Sequence, residues 1–401
     1  MSAGAQRAAI AVVQVLGLAV WFSMSAVVPS LQQAWGISAA EAVWLTGSVQ
    51  IGFVVGALGS TALNLADRAR PHRVLAASAA SAAACTVALA AFVDGMAGAI
   101  PLRFLTGVCL AGVYPVGMKL TASWSSSTGR GLALGVLIGA LTMGSTLPHL
   151  IAGLGSLPWR GVLSAASGIG LLGAVVALVL VRPGPHLAAA APQHNPRYAI
   201  TMFAERRPAL VNVGYFGHMW ELYALWTWIP TFLLASSAGA ALPGSVALVV
   251  FAAMGIAGVA GCLLGGWAAD RFGRSPTAIA ALAVSGLCCA VSPFAFAAGP
   301  ALLVVFCAVW GAAVIADSGV FSTSLSETAD PRYVGTALTA QTAIGFALTV
   351  VSIQLVPVVA DVVGWRYAFL VLAPGPLIGA LAMRAFGARP AAGAVPAKES
   401  T

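Results

Sequence analysis

Apolar residues in this chain come in long unbroken stretches, not in the alternating or three-and-four patterns of a soluble fold. Twelve such runs lie near 8–29, 42–63, 72–93, 97–118, 131–153, 161–181, 208–234, 245–267, 276–297, 300–323, 333–356 and 365–386. Each is about the 20 residues that a helix needs to cross the hydrocarbon core of a bilayer. Lipid offers backbone groups no water to bond, so each run is predicted to be helical. The expected fold is an all-α membrane protein with twelve transmembrane helices. One connection differs from the other, short ones. Between runs six and seven lie Arg182-Pro183-Gly184-Pro185, the alanines 188–191, Pro192, Pro196 and Glu205-Arg206-Arg207-Pro208. It reads as a flexible linker. The predicted organisation is therefore a six-helix bundle over 1–181, a cytoplasmic linker over 182–207 and a second six-helix bundle over 208–401.

The two halves carry the same signals at a nearly constant offset. Asp67-Arg68-Ala69-Arg70 follows the second run, and Gly266-Trp267-Ala268-Ala269-Asp270-Arg271-Phe272-Gly273-Arg274 closes the eighth, 203 positions later. Trp159-Arg160 and Trp365-Arg366 open the sixth and twelfth runs, 206 positions apart. Such a long internal repeat implies two pseudo-symmetric bundles. These loops resemble those of the major facilitator superfamily of secondary transporters, whose Gly-x-x-x-Asp-Arg-x-Gly-Arg pattern the C-terminal copy fits in full. The N-terminal copy departs from it, with Leu63 and Ala69 where glycines would stand. The resemblance implies alternating access and a cytoplasmic latch made by Asp67, Arg68, Arg70, Gly266, Asp270, Arg271, Gly273 and Arg274.

Composition narrows the alternatives. Charged residues are 7% of the 401 positions and apolar residues 60%, against roughly 25% charged in an ordinary soluble domain. The net charge of +8 is spread over short loops, which argues against nucleic acid. With the N-terminus inside, 16 of the 19 Lys and Arg fall on the cytoplasmic side, so both termini are expected in the cytoplasm of a cell with the protein in its inner membrane. The six cysteines all lie within predicted helices and lack metal-ligand spacing. No phosphate-binding Gly-x-x-x-x-Gly-Lys loop is present. No cofactor and no metal are expected, and the chain is expected to act as a monomer in the bilayer.

Ionisable residues inside a span cost about 2.5–3.5 kcal/mol on insertion scales and so call for a reason. Here they are Arg103 in the fourth run, His149 in the fifth, His218 and Glu221 in the seventh and Asp317 in the tenth. The family resemblance implies that helices 1, 4, 7 and 10 line the central cavity, and four of these five residues fall on them. Arg103 is expected to contact an anion or bias a carboxylate, with outward snorkelling as the plainer alternative. His218 and Glu221, three apart on one face, are expected to form a proton-responsive pair. Asp317 is expected to act from the other side, or to bond Gln341 across a helix contact. Gln14, Trp21 and Ser23 of the first run are candidate cavity contacts. Trp220 and Tyr223 are candidate walls, while Trp226 and Trp228 read as anchors at the membrane interface.

The expected function is secondary transport of a small polar or anionic solute, with protons as coupling ion. Rivals are a proton-driven exporter of amphipathic compounds and a transporter-like sensor without flux. An enzyme is disfavoured because no nucleophile, base and oxyanion set can be assembled.

Overall fold

The computed structural model describes residues 2–62, 70–125, 130–154, 157–185, 197–242, 246–330 and 332–388. Twelve spans follow one another. The N-terminal half holds α1 (Ala3–Gly17, then turns, then Val28–Trp35), α2 (Ala39–Ala62), α3 (Pro71–Phe92), α4 (Met96–Ser123), α5 (Arg130–Leu154) and α6 (Trp159–Leu180). The C-terminal half holds α7 (Arg206–Ala235), α8 (Val246–Phe272), α9 (Arg274–Phe296), α10 (Pro300–Thr328), α11 (Val334–Val363) and α12 (Trp365–Gly387). Ten of them are long and apolar enough to cross a membrane. The other two are α1, whose helix is interrupted over 18–27, and α7, which runs unbroken for 30 residues but carries Asn212, His218 and Glu221.

The repeat visible in the sequence is built into the packing. A Cβ on Gly107 of α4 would run into the carbonyl of Val49 on α2, and a Cβ on Gly311 of α10 into that of Ala253 on α8. Both members of the second contact lie 204 positions after those of the first. Small residues let the backbones touch where lipid supplies no hydrophobic drive for association. Arg160, at the start of α6, donates to the carbonyls of Ala90 and Val93 at the end of α3, and Arg366 donates to that of Pro293 near the end of α9. Each repeated tryptophan meets another: Trp159 packs edge-on to Trp35, and Trp365 lies against Trp228. Gly273 and Gly364, with φ of 99° and 81°, turn the chain into α9 and α12 where a side chain would be strained.

The halves meet where α5 packs on α8 and α2 on α11. Part of the predicted flexible linker is folded. Tyr198–Thr201 is helical and Met202–Ala204 continues as a 3-10 turn. The buried Tyr198 and Met202 explain the order: the Tyr198 hydroxyl accepts from the Asp330 amide at 2.7 Å, and its ring lies 5.2 Å from that of Tyr333. The polar composition concealed these two apolar anchors.

Candidate functional site

Spans α1, α4, α7 and α10 meet at the junction of the halves, and all but α7 lose regular helix there. In α4 the break falls at 111–113, and in α10 at Asp317. The residues resuming each helix, Tyr114 and Ser318, are 204 positions apart and both face the central cavity. The break in α1 is longer. Its freed carbonyls must be bonded within the protein, and Arg103 does this. Fully buried, Arg103 donates from Nη1 to Val20 at 3.1 Å, from Nη2 to Trp21 and from Nε to Leu45 of α2 at 3.1 Å. The guanidinium thus ties α4 to α1 and α2, and all three of its hydrogen-bond partners are backbone carbonyls. Gln14 acts similarly, its Nε2 donating to the Val113 carbonyl in the α4 break at 3.1 Å. Ser23 bonds the Val20 carbonyl at 2.8 Å.

In the C-terminal half the pairing expected from sequence is rearranged. His218 Nδ1 lies 2.9 Å from Asp317 Oδ1, with both side chains buried, and its Nε2 lies 2.7 Å from the Ser318 hydroxyl. Asp317 therefore meets His218, and no bond to Gln341 is formed. The reason is the irregular turn at 317, which brings the start of the second α10 segment against α7. Glu221, one turn along α7, points away from this pair into the C-terminal bundle. It accepts hydrogen bonds from Ser285, from Cys289 at 3.3 Å and from Trp310 Nε1 at 2.6 Å. Three residues leave the two side chains about 60° apart around the helix axis, so their different neighbours decide where each one points.

A layer of rings crosses the junction. Trp21 of α1 stacks on Tyr223 of α7 at 6.1 Å and on Phe346 of α11 at 5.4 Å, Phe53 of α2 lies 4.4 Å from Phe346, and Phe22 meets Trp226 edge-on at 5.4 Å. Trp226 and Trp228 are 3% and 2% exposed, so neither is an interface anchor. Trp226 belongs to this layer, and Trp228 donates to the Ile353 carbonyl at 2.8 Å. Trp220 instead bonds the Val371 carbonyl at 3.0 Å. Against the layer lies a cavity of about 20 Å³ lined by Tyr114, Ile138 and Leu141 from one half and Tyr215, His218, Tyr223, Ser318, Ser322 and Phe346 among others from the other. That volume holds about one water. Buried polar atoms without partners among the described residues stand on the surrounding helices: Trp21 Nε1, Gln341 Nε2 and both ends of the Gln50 amide.

A second contact joins the halves at the Asp270 end. Asp270 Oδ2 accepts from the amide of Leu132 in the first turn of α5 at 3.0 Å, and its Oδ1 meets Arg274 Nη1 at 2.8 Å. Arg274 also reaches Glu327 of α10 at 2.9 Å. A carboxylate at a helix N-terminus satisfies an unpaired donor and suits the helix dipole. Gly266 lies close to Gly131 and Leu132, where a Cβ would come within 3.0 Å of the Gly131 carbonyl. Arg271 is exposed, and Arg70 precedes α3 as its N-cap residue. Asp67 and Arg68 lie outside the described residues.

The sequence does not single out Tyr114 and Tyr215 as cavity residues, Ser285 and Trp310 as partners of Glu221, or Gln50, whereas Ser318 and Ser322 follow Asp317 as a polar stripe at helical spacing. A tyrosine just before Pro115, at the repeat offset from Ser318, was the available signal for Tyr114. Nothing in the local pattern distinguishes Ser285 or Trp310.

Twelve spans in two alike halves, with a polar cavity at their junction, define a membrane protein built for transport. Residues 10–353 match the Major Facilitator Superfamily, and the chain belongs to that family. It is similar to the niacin transporter NiaP of Acinetobacter baylyi, 25% identical over 328 residues that cover 71% of this chain and 70% of the relative. It is also similar to the gallate transporter of Pseudomonas putida, 26% identical over 326 residues covering 72% and 70%. Among solved structures, a mutant form of the nucleoside transporter NupG superposes with a TM-score of 0.70 at 16% identity, covering 96% of this chain and all of the other. The chain is a multi-pass integral membrane transporter of small solutes, not an enzyme.

Proposed function

We propose that this transporter moves a small planar anion of the aromatic carboxylate class together with protons, by alternating access of the central cavity to the two sides of a cell (inner) membrane. The supporting observation is the His218–Asp317 pair beside a cavity whose lining includes no lysine or arginine. A carboxylate entering at this depth brings a charge that low-dielectric surroundings make costly. A proton taken up with it offsets that charge, so anion and proton bind better together than apart. The ring layer of Trp21, Tyr223 and Phe346 offers flat faces to an aromatic solute. Niacin and gallate, named for the two relatives, are both aromatic carboxylic acids. The distribution of arginines supports placing the Asp270 end and both termini in the cytoplasm. Asp270 is the latch that holds this end shut, and the protein works as a monomer.

Glu221 is the less suitable proton carrier, because its three donors enclose it within the C-terminal bundle, whereas His218, the partner of Asp317, lines the cavity. The test is uptake of labelled aromatic acids into proteoliposomes with an imposed pH gradient. Asp317→Asn is expected to abolish gradient-driven accumulation while solute exchange persists, and Glu221→Gln to retain accumulation. The reverse pattern would move the proton site to the Glu221 pocket.

A further inference from the structure

A second, larger recess lies away from the transport path, at the Asp270 end of the C-terminal half. Its volume is about 900 Å³, and Arg207, Arg274, Ser275, Ile279, Arg384 and Phe386 line it. Three arginines face one lining carboxylate, Glu327. Arg274 is occupied by Asp270 and Glu327, whereas neither Arg207 nor Arg384 meets a carboxylate among the described residues. The Arg207 guanidinium is held over the ring of Phe386 at 4.6 Å. Arg206, next to it, lies 3.4 Å from the Ala385 carbonyl. The first turn of α9 adjoins the recess through Ser275, and no side chain caps that helix. Positive charge is therefore concentrated in a concave surface made by four spans, α7, α9, α10 and α12.

Two features connect this surface to the bilayer. Trp267 and Phe272 are exposed and pack edge-to-face at 5.5 Å, close in sequence to Arg274. Exposed aromatic rings at span ends favour the membrane interface, which puts the recess at headgroup depth. On α12 the exposed Leu377 and Leu381 lead one turn at a time to the exposed Arg384. An apolar stripe running into a basic recess matches the two parts of a phospholipid.

We propose that the recess binds the phosphate of an anionic phospholipid, with Arg207 and Arg384 holding the headgroup and an acyl chain lying along Leu377 and Leu381. Basic pockets between spans are suited to such headgroups. Soluble phosphates share the headgroup chemistry, but they have no use for the stripe. Because Arg274 lines the recess and also bonds Asp270, the occupied headgroup competes with the carboxylate that caps α5.

Native mass spectrometry of the purified full chain, titrated with phosphatidylglycerol or phosphatidylcholine, tests this without any transport measurement. The unaltered protein is expected to retain phosphatidylglycerol preferentially. Each of Arg207→Gln and Arg384→Gln is expected to reduce that preference about fivefold, the effect of one basic residue near an anionic surface. Arg160→Gln, at the opposite end, should leave it unchanged. Equal retention of the two lipids by the unaltered protein would overturn the proposal, as would equal losses in all three variants. Displacement of phosphatidylglycerol by millimolar inorganic phosphate would reassign the recess to a soluble anion. Thermal unfolding in detergent verifies that each variant is folded, and Arg384→Lys, which keeps the charge, should retain most of the preference.

Discussion

The two halves share a scaffold and differ in chemistry. Contacts that set the distance between helices are duplicated: Gly107 against Val49 recurs as Gly311 against Ala253, and Arg160 on the end of α3 recurs as Arg366 on the end of α9. Contacts made by ionisable groups at membrane depth are not. The N-terminal half spends its buried charge on structure, with Arg103 bonded to three backbone carbonyls around an interrupted α1. The corresponding stretch of α10, Cys307 to Val309, carries no charge, and α7 is an unbroken helix. There the buried ionisable groups meet other side chains, His218 lying against Asp317 and Glu221 accepting from Ser285 and Trp310. The duplicated contacts thus lie in the scaffold, and the departures from symmetry lie among the buried ionisable groups.

That contrast can be broken by substitution. The largest effect is expected from Arg103→Ala, which removes three hydrogen bonds to buried carbonyls, at roughly 1–3 kcal/mol each. Loss of about 3 kcal/mol or more should appear as a strongly lowered thermal midpoint in detergent, with Arg103→Lys intermediate. A stable, fully folded Arg103→Ala protein would show that the interrupted α1 holds itself and that Arg103 is free for a solute role. Next come Gly107→Ala and Gly311→Ala. Each forces a methyl group against a backbone carbonyl, and overpacking of this kind costs about 1–3 kcal/mol. The two should be alike to within experimental error, since the crossings are alike. A marked inequality would mean that one half tolerates separation of its helices and the other does not. The smallest effects belong to the repeated arginines. Arg160 reaches two carbonyls and Asp94, Arg366 one carbonyl, so Arg160→Gln should cost about 1–2 kcal/mol and Arg366→Gln about half that. Reversal of this order would detach the repeated Trp-Arg pairs from the helix ends they cover.

Run length and repetition made the architecture legible before any contact was known. Twelve apolar stretches and the 203-to-206 offset depend on composition and order alone, and lipid leaves the backbone few other options. The buried ionisable residues were legible for a similar reason: each is rare enough in a span to stand out. Their partners were not. His218 and Glu221 share a helix face by spacing, yet the break in α10 at Asp317 gives His218 to Asp317 and leaves Glu221 to Ser285 and Trp310. Breaks in helices arise from tertiary contacts such as Arg103 on α1, and hydropathy does not register them. Trp226 and Trp228 were misread because aromatic residues near span ends look alike whether they face headgroups or another helix.

The Arg103 contacts also set an order of assembly. Val20 and Trp21 enter the membrane 83 and 82 residues ahead of the arginine that bonds their carbonyls. Until α4 arrives, the Trp21 carbonyl lacks its arginine donor and Val20 has only Ser23 of its own span, while a segment in lipid must keep such groups bonded. The interruption in α1 is therefore expected to become stable only once the fourth span is in place.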